Sequence, residues 1–153
     1  MCKPPLTLTV SVESAFMGLV LDSGVLIAGE RDARPVSELL ATLEQEHGET
    51  EIVLSSITVI ELEHGLHRAN TAELAQKRRE YLDTFFAAIP VEPFTKEMAQ
   101  AAAKIDAEGK QIGCVIPFPD LLIGATALHF GYAVGSRNLR HFRMIRGLNV
   151  IQL

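Results

Sequence analysis

Apolar and polar positions follow two different periods along this chain, and from residue 17 onward the two alternate. Residues 18–21 form a short apolar run ending at Asp22, the pattern of a buried strand. A helical stretch follows over 23–28. Pro35 opens a second helix, where Val36, Leu39, Leu40 and Leu43 recur at i, i+3, i+4 and i+7 and make one apolar face. Gly48 suits its C-terminal cap. Residues 52–54 read as the second strand, and a third helix from Ser56 or Thr58 runs through Glu61 towards His67. Thr71 caps a fourth helix with Leu74, Tyr81, Leu82, Phe85 and Phe86 on its apolar side, ended by Pro90. A third strand is expected over 91–94 and an alanine-rich fifth helix over 95–108, stopped by Gly109. A sixth helix over 119–130 stops at Gly131. Strands over 132–135 and 149–153 complete the series. Strands separated by helices predict an α/β fold, a mainly parallel sheet with helices on both faces.

Residues 1–16 break this rhythm. Residues 6–12 alternate like a strand, but Pro4 and Pro5 precede them, so 1–16 reads as an N-terminal extension, either a tail or an added edge strand. Residues 17–153 read as one domain. No repeat or low-complexity linker divides them, and 153 residues suit a single core.

Composition narrows the class without choosing a function. Hydrophobic residues make up 48% and charged residues 22%, as in soluble globular domains. The apolar stretch 17–29 is interrupted by Asp22, and 114–134 by Pro117, Pro119 and Asp120, so neither reads as a membrane span. Cys2 and Cys114 carry no zinc or disulfide spacing pattern, and the expected compartment is the cytoplasm. The net charge of −5 runs against a nucleic-acid partner, which favours a basic surface. A carboxylate site that binds cations supplies part of that negative charge.

The candidate chemistry is acidic. In such sheets ligands gather beyond the C-terminal ends of the strands. Asp22 ends the first strand, Glu61 is placed in the first turn of the helix after the second, Asp120 starts the sixth helix, and Asn138 follows the fourth strand. Carboxylates brought together repel, and an all-oxygen cluster suits Mg²⁺ or Mn²⁺ better than zinc. The chemistry that follows is phosphodiester hydrolysis. Each acid also has a plainer reading. Asp22 suits a helix N-cap, Thr58-x-x-Glu61 fits a capping box, and Asp120 suits a helix N-terminus. Glu63 is expected to face solvent. His64 and His67 lack zinc spacing and read as surface or capping residues.

Four ordered blocks carry a resemblance. Leu21-Asp22-Ser23-Gly24-Val25-Leu26-Ile27 and Ser56-Ile57-Thr58-Val59-Ile60-Glu61-Leu62-Glu63-His64-Gly65 resemble the first two blocks of PIN-domain nucleases. Ile116-Pro117-Phe118-Pro119-Asp120-Leu121-Leu122-Ile123-Gly124-Ala125-Thr126-Ala127-Leu128 resembles the third. Ser136-Arg137-Asn138-Leu139-Arg140-His141-Phe142, with Ile145-Arg146-Gly147-Leu148, resembles the fourth. The match is closest to the VapC-type toxins of bacterial toxin–antitoxin pairs and covers nearly all of 17–153.

The resemblance implies a three-layer α/β/α fold and an Mg²⁺- or Mn²⁺-dependent endoribonuclease. It places the family's three acids on Asp22, Glu61 and Asp120. A fourth, less uniform acid falls on Asn138, which offers a carbonyl oxygen but no charge and weakens a second metal position. Ser136 keeps the hydroxyl of the family's threonine. His141 stands where an acid is common; it could reach phosphate, but a structural or surface role is favoured. Ser23, Ser136, Arg137 and Arg140 are candidate substrate-binding residues. Arg143 and Arg146, or Lys77, Arg78 and Arg79 on the fourth helix, are further basic groups that suit RNA phosphates or a solvated face. Implied partners are RNA, a VapB-type antitoxin and a second copy of the chain, with DNA reached only through the antitoxin and no membrane. Phe85, Phe86, Leu62 and Leu66 are candidates either for an antitoxin groove or for the core. Asn138 leaves open an inactive PIN-like regulator acting by protein binding. A phosphoacceptor receiver domain fits poorly: it wants adjacent acids after the first strand and a late lysine, and no lysine follows Lys110.

Overall fold

The computed structural model describes residues 16–153. The extension lies outside the described residues except for Phe16, which packs against the core beside the His47 ring. Five strands form one sheet: β1 (Gly18–Leu21), β2 (Glu51–Ser55), β3 (Val91–Glu92), β4 (Ala133–Ser136) and β5 (Val150–Gln152). Their order is β3-β2-β1-β4-β5, and every pairing is parallel. The helices are α1 (Ser23–Arg31), α2 (Val36–His47), α3 (Ser56–His67), α4 (Ala72–Ala88), α5 (Lys96–Gln111) and α6 (Phe118–Phe130). A short 3₁₀ turn, η1 (Phe142–Met144), follows β4.

Two cores follow from the period of the strands. Leu19 and Leu21 of β1, Leu54 of β2 and Ala133 of β4 point to one face, where α1 to α4 add Val25, Leu26, Leu39, Leu62, Leu82 and Phe85. Val20, Val53 and Val134 point to the other, covered by α5, α6 and η1 through Ala102, Ile123, Ala125, Phe142 and Ile145. Strands buried on both faces read as unbroken apolar runs, as β1 does. The layers are α/β/α, as expected. Among the described residues no helix is long and apolar enough to cross a membrane.

The chain leaves β1 towards β2 and β3, then returns to the other side of β1 as β4 and β5. The direction therefore reverses between β1 and β4, and the crevice beyond their C-terminal ends is the default binding position in an open parallel sheet.

Three element boundaries differ from expectation. Helix α3 is capped by Ser55, whose Oγ accepts from the Ile57 N–H at 3.2 Å, so Thr58 lies inside the helix and its hydroxyl donates to Leu21 O. Helix α5 runs through Gly109 to Gln111 and is capped by Ile112, with the left-handed residue at Gly113 (φ 72°). Gly109 makes room for the returning chain: a Cβ there would lie 2.9 Å from Cys114 O. Strand β3 stops at Glu92, before Pro93, which has no N–H for the ladder.

Candidate functional site

Asp22 is the N-cap of α1 at the end of the central strand. Its Oδ1 accepts from the Ser23 N–H at 2.9 Å, and its Oδ2 from the Ser136 hydroxyl at 2.8 Å. The capping reading and the site reading therefore fall on the same side chain. Ser136, fully buried at the end of β4, also accepts from the Asn138 N–H at 3.0 Å. One hydroxyl thus ties the ends of β1 and β4 together across the switch point.

Glu61 does not cap α3. With Ser55 in that role it sits in the second turn, so the capping-box reading is withdrawn and the placement in the first turn is corrected. Its Oε2 is buried and has no hydrogen-bond partner among the described residues. Burial pushes the Glu61 carboxyl above its ordinary range; the Ser23 hydroxyl opposes this, and the Asp22 and Asp120 charges reinforce it. Burial likewise raises Asp22, opposed by Ser136 and the Ser23 N–H and reinforced by Asp120. Three carboxylates distant in sequence therefore feel one another's charge.

Asp120 lies in the first turn of α6, after Pro117 at the cap and Pro119. Negative charge is favourable there. Its Oδ2 sits 2.7 Å from Nδ1 of His141, which precedes η1. This pairing is the feature that the sequence reading missed when it took His141 as structural or surface. No local pattern in the sequence signalled it; Gly124, one helical turn beyond Asp120, lies under Cδ1 of Ile145.

Asn138 is exposed, and its Oδ1 accepts from the Arg140 N–H at 3.4 Å. Arg137, Arg140, Arg143 and Arg146 are all exposed. Arg137 turns to a separate cavity with Arg34, Tyr81 and Leu153.

The basic patch on α4 has another use. Arg79 grips Glu63 with two bonds of 2.7 and 2.6 Å, and this pair lowers the Glu63 carboxyl. Arg78 reaches Glu30 at 3.2 Å and Gly65 O at 2.9 Å. These side chains staple α4 to α1 and α3, and Glu63 is half-buried instead of facing solvent. Phe85 is fully buried in the core and Phe86 packs against it, so neither opens a groove, whereas Leu62 and Leu66, though buried, also line a small cavity with Ile27, Glu61 and Arg78.

The donor chemistry fits a divalent cation: the Asp120 charge adds to the cost of ionising Asp22 and Glu61, and one buried Glu61 oxygen lacks a partner among the described residues. Among the described residues no group of three or more His, Cys, Asp or Glu stands as a ready-made metal cage. Both Asp22 oxygens and one Asp120 oxygen are engaged by neighbours.

Comparison with known proteins places this geometry. The PIN-domain family model matches residues 19–147. Ribonuclease VapC1 of Rickettsia felis is 28% identical over 135 residues, covering 88% of this chain and 96% of the relative. The crystal structure of VapBC2 from Rickettsia felis bound to a DNA fragment from their promoter aligns with a TM-score of 0.78 at 22% identity, over 90% of this chain and 99% of that one. DNA-bound VapBC from Salmonella typhimurium aligns with a TM-score of 0.75 at 21% identity, over 89% and 98%. At those identities the structural likeness establishes the fold, and the family match over 19–147 establishes descent. This chain belongs to the PIN-domain family.

Proposed function

We propose that this protein is a metal-dependent endoribonuclease and the toxin of a VapC-type toxin–antitoxin pair. The observation that carries the reading is the partnerless buried Oε2 of Glu61, inside the field of two other carboxylates. An oxygen in that state is costly unless a cation meets it. Asp22, Glu61 and Asp120 would hold Mg²⁺ or Mn²⁺, with the Asn138 carbonyl as a weaker, uncharged fourth donor. When bound, the cation supplies an activated water and neutralises charge on the leaving oxygen of a phosphodiester.

The chain's own groups do the rest. Ser136 and the Ser23 N–H fix the Asp22 carboxylate from both sides. The Ser23 hydroxyl steadies Glu61. Arg140, exposed beside Asn138, meets backbone phosphates and sets their register without reading sequence. Arg137 turns to the separate cavity beside Arg34 and Tyr81 and is given no part in holding phosphates.

The curated relative is named a ribonuclease, and the aligned solved structures are VapBC assemblies. The first supports RNA as substrate and the second a VapB-type antitoxin as partner; a homodimer as the working form and the cytoplasm as its place belong to the same proposal. For the antitoxin, the exposed Ile27 of α1 replaces the Phe85 groove. It borders a cavity of about 110 Å³ with Glu30, Leu62, Arg78 and Leu82 that opens onto Glu61.

The deciding experiment is cleavage of total RNA by the purified chain with Mn²⁺ or Mg²⁺ and with a chelator. Cleavage that needs the metal and disappears in Asp120→Asn supports the reading. Cleavage that survives the chelator, or that Asp120→Asn leaves undiminished, refutes it. An inactive chain that nonetheless binds partner protein favours the regulator permitted by Asn138.

A further inference from the structure

We infer that His141 is a positioning residue for the Asp120 carboxylate, preparing it to ligate a divalent cation; this rests on the metal-dependent reading above. Nδ1 of His141 lies 2.7 Å from Oδ2 of Asp120, and both side chains are mostly buried, at 28% and 22% exposure. A carboxylate only accepts hydrogen bonds, so the proton of this contact sits on Nδ1. The ring occupies Oδ2 and leaves Oδ1 for the crevice that Asp120 shares with Asp22 and Glu61. A second partner of this kind fixes a ligand's orientation and raises its affinity for metal.

The fold builds this contact with some care. Leu139, Phe142 and Ile145 are all buried and anchor the turn on either side of His141. The turn closes through Arg143 N–H to Leu139 O at 3.0 Å and Met144 N–H to His141 O at 3.1 Å. Ile145 then seats on Gly124, which lies on the Asp120 face of α6, one turn along. Cδ1 of Ile145 fills the space over Gly124, which a larger residue would have to share with it. The close approach carries His141 to the N-terminus of that helix, where Asp120 stands. Asp22 has its own such partner in Ser136, so two of the three acids are held by a side chain from the β4–η1 segment.

The test is calorimetric titration of Mn²⁺ into the wild-type chain, His141→Ala, His141→Asn and His141→Gln, with thermal melts as a check of folding. His141→Ala weakens Mn²⁺ binding on the order of tenfold or more, as loss of an outer partner does. Asparagine places an N–H donor near the position of Nδ1 and restores most of the affinity. Glutamine, whose donor follows Nε2, does not. RNA cleavage at saturating Mn²⁺ recovers in His141→Ala, because the residue acts through metal affinity and not on the reacting atoms. A wild-type chain that binds Mn²⁺ with an unchanged dissociation constant in His141→Ala overturns the role of His141 alone. Equal weakening in the alanine and asparagine variants also overturns it, since the ring's packing would then be what matters. A wild-type chain that takes up no Mn²⁺ and cleaves no RNA overturns the metal reading and this inference together.

Discussion

Replacing Glu61 by glutamine removes one negative charge while keeping the shape of the side chain. In the wild type the buried Oε2 has no hydrogen-bond partner, and the Asp22 and Asp120 charges bear on it. An unsatisfied buried polar group costs roughly 1–3 kcal/mol, and more when charged. Glu61 is half-exposed, so solvent screening takes the expected net gain of Glu61→Gln down to about 1–2 kcal/mol. For a domain of this size that raises the melting temperature by roughly 2–8 °C at neutral pH without metal. The sign of the pH dependence follows from the raised carboxyl. Above its ordinary value of 4.5, the folded chain holds the Glu61 proton more tightly than the unfolded chain does. Stability contributed by this group is therefore best in acid and falls as pH climbs from 4.5 through the folded value. Asp22 acts in the same direction from 3.8 upward. The advantage of Glu61→Gln should appear at about pH 7.5 and vanish near about pH 4.5, where the wild-type group is protonated. The assay is thermal unfolding of both proteins in chelator at the two pH values. With Mn²⁺ added the order reverses, because the wild type gains binding free energy and the variant does not. A glutamine variant less stable than wild type in chelator at neutral pH, or an advantage that ignores pH, refutes the reasoning.

Three further outcomes follow from named contacts. Ser136→Ala removes the hydroxyl that bonds Asp22 and Asn138; it lowers stability by about 1–3 kcal/mol in chemical denaturation and raises the Asp22 carboxyl further, visible by carboxyl-resolved NMR titration. Phe85→Ala empties a fully buried position and costs about 3–5 kcal/mol in urea unfolding; a near-neutral result would return Phe85 to the surface. Gly124→Val drives side-chain atoms into Ile145 and costs about 1–3 kcal/mol beyond any gain in helix propensity. Because it moves η1, it also weakens Mn²⁺ binding as His141→Ala does, and full affinity in that variant would disconnect the two.

Much of the fold was legible because its strands are buried on both sides and its helices on one. The run 18–21 and the spacing of Val36, Leu39 and Leu43 leave little choice of element. Asp22 and Asp120 were legible as residues, because one follows a strand and the other opens a helix; Glu61, in the second turn of α3, stood out through its block's resemblance. What a linear reading lacked was the three-dimensional partner of each side chain. Thr58-x-x-Glu61 satisfies a capping pattern, yet Ser55 lies three residues earlier and captures the helix end first. Gly109 looks like a stop signal, but its missing side chain serves a close backbone approach, and Gly113 takes the left-handed conformation instead. The charges of Arg78 and Arg79 suggest a polyanion, but Glu30 and Glu63 had already claimed them from other helices. Phe85 belonged equally to a groove or a core until its burial was seen. His141 joined the site only through η1, a turn that no periodicity announces.

The central claim is that Asp22, Glu61 and Asp120 together hold a divalent cation. It is met most directly by an anomalous-difference map from a crystal soaked in Mn²⁺. The account predicts one strong peak in the crevice between β1 and β4, within about 2.5 Å of carboxylate oxygens from at least two of these residues. A map with no peak there at saturating Mn²⁺, or with the metal bound by other side chains, contradicts it.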